Sequence, residues 1–263
     1  MSSAGIGYII SIVFLVIAGF WTSPDQPMRF LDPHGAYMVF IGTLIIGVIA
    51  VPWEYAKRFF AMIRVVSKKV QDDSLDIMRI MIEMAEIARV DLNRVSELLP
   101  KIKDPFLKDA VDLLQQGFEA REIETILRRR VEVQKERENA DAKMFKNLGK
   151  YPPATGLIGT VMGMIALLAS LGQEGAETKI GSSMSVAMSA TLYGVILANI
   201  VILPVADNLL FRTQKMIAKR EMIIEGILLI GQRTTPTMVR EILFSHLSPQ
   251  QREIYKNPAG KAA

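Results

Sequence analysis

Four long stretches of this chain carry no Asp, Glu, Lys or Arg, and they limit what it can fold into more than anything else in the sequence. They run 5–21, 35–53, 151–171 and about 180–206. A helix needs roughly 17–25 mostly apolar residues to cross the ~30 Å of bilayer hydrocarbon, so all four read as transmembrane helices. Nothing cationic precedes the first stretch and no A-x-A-like cleavage site follows it. This predicts a retained signal-anchor rather than a removed signal peptide. Tyr37 and Trp53 sit where interfacial aromatics belong on the second span. All Lys and Arg except Arg29 and Lys179 lie in 57–150 or 212–261. Those two stretches are therefore expected on the cytoplasmic side, with both termini, and the loops 22–34 and 172–179 on the other.

Between and after the spans the pattern becomes amphipathic. From Asp73 and Ser74, both good N-cap types, charges recur at Asp76, Arg79, Glu83 and Glu86 while apolar residues fill the remaining positions. That predicts a helix buried on most sides within a small bundle. A second helix is expected over 105–117, with Phe106, Ala110, Leu113 and Leu114 on one face and a terminating glycine. A long charged helix then follows over 119–146, supported by Glu124 and Arg128 at i,i+4, and a mixed helix is expected over 208–229. The fold class is thus an all-α integral membrane protein with four transmembrane helices. The expected parts are 1–53 (spans one and two), 54–150 (a cytoplasmic helical domain), 151–206 (spans three and four) and 207–263 (a cytoplasmic helix and tail).

An enzyme reading starts poorly. The chain has no cysteine and only two isolated histidines, His34 and His246, which excludes thiol chemistry and a His cluster. A net charge of +4 summed over abundant acids and bases does not indicate nucleic acid. No cofactor and no fixed metal are expected. In the third span Gly156, Gly159 and Gly163 recur at three- and four-residue spacing, which permits close helix packing. Thr160, Thr191 and the serines 182, 183, 185 and 189 add hydroxyls, which either bond back to the i−4 carbonyl or offer oxygens to an ion. Pro153 opens the third span, and Pro204, inside an apolar run, predicts a kink or local irregularity. The spans hold no ionisable group of the kind cation carriers depend on. If ions pass, a partner supplies the acid.

FLDPHGAYMVFIGT at 30–43, PATGLIGTVMG at 153–163, AMSATLYGVILANIVILP at 187–204 and GILLIGQRTTPTMVREILFSHLSPQQR at 226–252 together resemble the flagellar stator subunits of the MotA/PomA family, over nearly the whole chain. The resemblance implies a homopentamer around a dimer of a single-span, peptidoglycan-binding MotB/PomB-type partner whose aspartate carries the ion, with the rotor protein FliG as the cytoplasmic contact. It implies ion-pathway roles for Thr160, Thr191, Pro153 and Pro204, and ion entry near the outer mouth for Asp32, a residue that could equally cap the second helix. It also implies rotor binding by Arg89 and Glu97. Eight helical residues are about 12 Å, so that pair would face broadly one way if helical. Arg94, between them, is assigned no role. Thr160 resembles the sodium-type members, where proton-type members often have Ala, and its hydroxyl suits a hard cation, which puts sodium ahead of proton. Lys150 departs from the acid that some members carry there. The alternative is an ExbB/TolQ-like energiser of outer-membrane processes, which has three spans. Four spans and the 235–249 stretch favour the stator subunit.

Overall fold

The computed structural model describes residues 3–25, 27–50, 66, 72–171 and 176–256, and Trp53, residues 172–175 of the expected loop and the end of the tail lie outside them. All regular structure among the described residues is helical: α1 (Ser3–Thr22), α2 (Pro33–Ala50), α3 (Ser74–Ala88), α4 (Pro105–Gln115), α5 (Ala120–Leu148), α6 (Tyr151–Ser170), α7 (Ala176–Ile196), α8 (Leu203–Gly231), α9 (Pro236–Ser245) and α10 (Pro249–Lys256). Two compact units divide the chain, one of residues 1–70 and 139–211, the other of 71–138 and 212–263. Among the described residues four helices are long and apolar enough to cross a membrane, and they coincide with most of the four uncharged stretches, residues 51–53 lying outside the described ones.

In the first unit α6 and α7 form a tightly packed hairpin, and α2 lies against both. Side-chain volume explains the closeness. A methyl placed on Gly156 would stand 2.7 Å from the Ala190 carbonyl oxygen, one on Gly159 2.7 Å from the Ala190 methyl, and one on Gly163 2.8 Å from the Ala187 methyl. Gly194 returns the fit from α7, where a methyl would meet the Pro152 carbonyl at 2.5 Å. Such backbone-to-backbone approach gains dispersion energy that lipid-facing leucines cannot supply. α1 behaves differently: none of its window 5–22 is buried, so its apolar surface is left for lipid or for other chains.

The fourth apolar stretch does not end in a simple kink. α7 passes through a π-helical turn, Leu197–Ile202, directly into α8, whose second residue is Pro204. Proline removes the amide that would continue the ladder, and a wider turn accommodates the loss. The expected mixed helix of the tail is therefore a continuation of the same rod, starting at Leu203 rather than Asn208.

The second unit is a helical bundle with a methionine- and isoleucine-rich core that includes Met78, Met81, Met84, Leu107, Leu127 and Ile223. α3 shows only the narrow wet stripe expected, with Asp76, Arg79 and Glu86 exposed. Its start differs from expectation in one respect. Asp73 occupies the N-cap position but its side chain makes no capping bond; its carboxylate instead receives the Lys219 ammonium at 3.1 Å. The same ammonium reaches Asp104 at 2.7 Å. Asp104 in turn caps α4, accepting from the Phe106 and Leu107 amides at 2.9 and 3.1 Å. At the other end of α4, Gly117 takes φ 81°, the left-handed conformation that closes a helix without a Cβ penalty.

Burial alone would push the Asp104 carboxyl up, but Lys219 and the two amides outweigh it and hold it below the ordinary carboxylate range. A carboxyl depressed by folding contributes stability above its unfolded value of about 3.9 and loses it as pH falls through the lower folded value. Hydrogen-exchange protection of 74–115, corrected for intrinsic rates, is therefore expected to weaken below about pH 4. Asp104→Ala, which removes a cap and one of the two carboxylates around a half-buried ammonium, is expected to cost about 2–3 kcal/mol of that protection at neutral pH. In the membrane unit Gly156→Ala is expected to cost about 1–3 kcal/mol, read as a lowered thermal midpoint in detergent. Gly7→Ala, which meets open space, is expected to be neutral.

Candidate functional site

The α6–α7 contact brings Thr160 and Thr191 together. Their hydroxyl oxygens are in direct hydrogen-bond contact. The Thr160 oxygen also lies 3.1 Å from the Gly156 carbonyl oxygen, one turn back on its own helix, and 2.9 Å from the Ala187 carbonyl oxygen across the interface. A hydroxyl has one proton to give. If Thr160 donates to either carbonyl, Thr191 must donate to Thr160, and the lone pairs of the Thr191 oxygen remain for an outside donor or cation. Thr191 is exposed at the surface of the unit while Thr160 is half-buried, so the pair has an inner and an outer member. The two readings of these hydroxyls from sequence, back-bonding and oxygen donation, thus divide over the pair, with back-bonding open to Thr160 and oxygen donation to Thr191. Ser189 bonds back to the Ser185 carbonyl at 2.8 Å.

Gly156, Gly159 and Gly163 form the face of α6 beneath this pair, and Pro153 lies about two turns before Thr160. A methyl on Gly194 would meet the Pro153 α-carbon at 3.2 Å, which sets Pro153 against α7 three residues beyond Thr191. Pro204 is not brought to the threonines. Thirteen residues separate it from Thr191, roughly 20 Å along a helix axis. Its own surroundings are a small cavity of about 220 Å³ lined by Gly7, Tyr8, Ser11, Asn199 and Ile200, at the π-helical turn. There the Tyr8 hydroxyl donates to the Val201 carbonyl at 3.3 Å, one of the backbone groups of the irregular turn.

Asp32 caps α2. Its carboxylate accepts from the His34 amide at 2.8 Å and the Gly35 amide at 3.3 Å, and its side chain is 11% exposed. Of the two possibilities open from sequence, capping is the one with hydrogen bonds attached. The start of α2 meets α7 where a methyl on Gly35 would stand 2.7 Å from the Ser189 hydroxyl and 3.0 Å from the Ala190 amide. Ser189 is thirteen residues in from the Ala176 end of α7, roughly 20 Å along the axis, and two residues from Thr191.

Arg89 and Glu97 belong to the second unit and do not share a helix. α3 ends at Ala88, a turn carries Arg89 and Val90, and a 3₁₀ segment, Leu92–Lys101, opens with Asp91 accepting from the Asn93 amide at 2.9 Å. The α-helical spacing expected of the pair therefore does not apply. Asp91 and the following segment bond locally in a way that competes with helix continuation. Glu97 is engaged instead by Arg94, to which the sequence assigns no role, through contacts of 2.9 and 3.3 Å. That two-pronged bond holds the Glu97 carboxyl below its ordinary range. Arg89 stays exposed at the turn.

Sequence reasoning missed Tyr193. Its hydroxyl donates to the Phe30 carbonyl and accepts from the Asp32 amide at 2.7 Å, tying the segment before α2 to α7. A tyrosine inside an apolar span was the available signal, since its hydroxyl needs a partner when buried. Thr155 was missed as well. It donates to the Pro152 carbonyl at 2.9 Å and lies 3.2 Å from the Thr43 hydroxyl, linking the first turn of α6 to α2.

No group of three or more potential metal-ligating side chains occurs among the described residues. What the site can do chemically is offer hydroxyl and carbonyl oxygens beside a surface with no fixed charge in the spans.

Comparison with known proteins gives consistent results. The model of the MotA/TolQ/ExbB proton channel family matches residues 99–222. Motility protein A of Borreliella burgdorferi is 34% identical over 187 residues, 71% of each chain. Chemotaxis protein PomA of Vibrio alginolyticus is 30% identical over 200 residues, 75% of this chain and 78% of PomA. Among solved structures, the flagellar MotAB stator complex from Bacillus subtilis contains a chain that superposes with a TM-score of 0.86 at 26% identity, covering 95% of this chain and 97% of that one. The C. jejuni MotAB structure gives 0.85 at 22% identity, covering 94% and 96%, a likeness of fold. None of these relatives is an enzyme. With this identity over most of both chains, the protein belongs to the MotA/PomA branch of the MotA/TolQ/ExbB proton channel family.

Proposed function

We propose that this chain is a flagellar stator subunit that, with a MotB/PomB-type single-span partner, forms a path for cations and couples their influx to rotation of the flagellar rotor. The observation that carries this reading is the Thr160–Thr191 hydroxyl pair at a glycine-packed helix contact, in spans that hold no side chain charged at neutral pH. An oxygen-lined wall without an acid is half of a carrier site. A partner aspartate facing Thr191 would be the other half. Names among its relatives, motility protein A and PomA, support the same assignment.

In the assembly we infer, five copies surround a dimer of the partner, and the lipid-facing remainder of α1, α2 and α6 is solvated by membrane lipid. The complex sits in the bacterial inner membrane with both termini of this subunit cytoplasmic. Pro153 and Pro204 shape the two ends of the pathway, Asp32 lies toward ion entry, and Arg89 and Glu97 meet FliG. The bidentate Arg94 bond means that a rotor contact at Glu97 addresses a pair rather than a bare carboxylate. Because the family model also covers TolQ and ExbB, identification of the single-span protein that co-purifies with this chain separates a motility role from an outer-membrane one.

Swimming speed of a stator-deleted strain complemented with this chain and its partner is expected to follow external sodium and to survive a protonophore. Speed that collapses with the protonophore and ignores sodium makes the ion a proton. Thr191→Ala is expected to abolish swimming, or to lower speed at least several-fold, with the complex still assembled in the membrane. Normal swimming in that variant counts against the pathway assignment. Charge reversal at Arg89 is expected to reduce motility and to be partly restored by an opposite reversal on the rotor, measured as swarm diameter.

A further inference from the structure

We propose that Tyr193 is a positioning residue of the ion site, its hydroxyl clamping the Phe30–Asp32 segment onto α7 and so fixing where the Asp32 carboxylate stands relative to Thr191. The ion-site half of this statement rests on the stator reading above. The clamp itself rests on geometry alone.

A phenol hydroxyl has one proton to give and lone pairs to receive, and Tyr193 uses both on the same short segment: it donates to the Phe30 carbonyl and accepts from the Asp32 amide at 2.7 Å. These two backbone groups precede α2 and belong to no helix ladder. Tyr193 itself lies in an apolar span, where an unmet polar group is costly. Fixing the Asp32 backbone also fixes its carboxylate, because that carboxylate is turned back onto the His34 and Gly35 amides of the same turn. Two residues along a helix are about 200° apart, so Thr191 and Tyr193 lie on nearly opposite sides of α7. One side meets Thr160 of α6, the other meets the clamped segment. Between them Ala190 is pressed from both directions, its carbonyl close to Gly156 and its amide close to Gly35. α7 therefore cannot turn or slide on the Thr160 side without moving the Asp32 side. Losing the Tyr193 hydroxyl frees the Asp32 segment while leaving the glycine-packed contact intact.

Two measurements on Tyr193→Phe test this, both on the full chain with its partner. In the purified complex, the amide of Asp32 is expected to exchange roughly tenfold faster, with exchange in 156–166 unchanged. In cells, the concentration of the driving cation that gives half-maximal swimming speed is expected to rise roughly three- to tenfold, with speed at saturating cation and the amount of assembled complex retained. Unaltered exchange at Asp32 overturns the clamp. Faster exchange with an unaltered half-saturating concentration overturns the positioning role and leaves Tyr193 a purely structural tie. Asp32→Asn, which retains the amide and a capping oxygen, is expected to keep the slow exchange and still shift the cation dependence. Rapid exchange in that variant would show that the cap, not Tyr193, protects the segment. If the unsubstituted chain drives no cation-dependent swimming, the stator reading falls together with the ion-site half of the proposal, while the exchange rates still decide the clamp.

Discussion

The contact between α6 and α7 is set by what is missing from it. With a hydrogen in place of a methyl at Gly156, Gly159, Gly163 and Gly194, backbone meets backbone, and positions that would otherwise be held apart by side chains come within hydrogen-bond reach. Thr160 can bond across to the Ala187 carbonyl only because of this approach. The hydroxyl pair, the seat of Pro153 on α7 and the fit of α2 against Ala190 all follow from it. In water such closeness would be one packing solution among many. In lipid, where apolar side chains gain nothing by leaving hydrocarbon for one another's company, it is a principal source of helix association.

The second unit is held by different physics. Its core is ordinary hydrophobic burial, but its helix starts converge on one ammonium. Asp73 and Asp104 stand at the N-termini of α3 and α4, both of which carry the positive end of a helix dipole, and Lys219 adds a further positive charge between them. Only the two carboxylates make that arrangement favourable. The consequence for sequence is that Asp73, a good capping residue by type, is diverted from capping by a tertiary partner 146 positions away.

Much of this was legible in the order of residues. The four spans follow from length and absence of charge. The α3 stripe, the α4 face and the Glu124–Arg128 pair follow from helical periodicity, and the pair is formed at 2.8 Å. The irregularity before Pro204 follows from its missing amide, though its form, a π-helical turn inside one continuous rod, does not. What escaped is what depends on partners distant in the chain. Tyr193 needs a segment 161 to 163 positions away to have a role. Thr155 needs Thr43. The break between Arg89 and Glu97 escaped for the opposite reason: Asp91 organises its immediate neighbours, and a local turn outcompeted a helix that spacing alone would allow.

The π-helical turn at Leu197–Ile202 also changes how the rod must be read. A single wide turn is equivalent to one residue inserted into an α-helix, and each residue advances the helical phase by about 100°. A helical wheel drawn straight through from Thr191 therefore points Pro204, Val205 and Ala206 in the wrong direction by about that angle. Val205 and Ala206 are buried against Phe145, so the inserted residue is what lets one rod present its threonine to α6 and, a few turns on, its small residues to α5. A deletion of one residue within 197–202 would leave composition, hydropathy and span length nearly untouched and yet turn one of those two faces away from its partner.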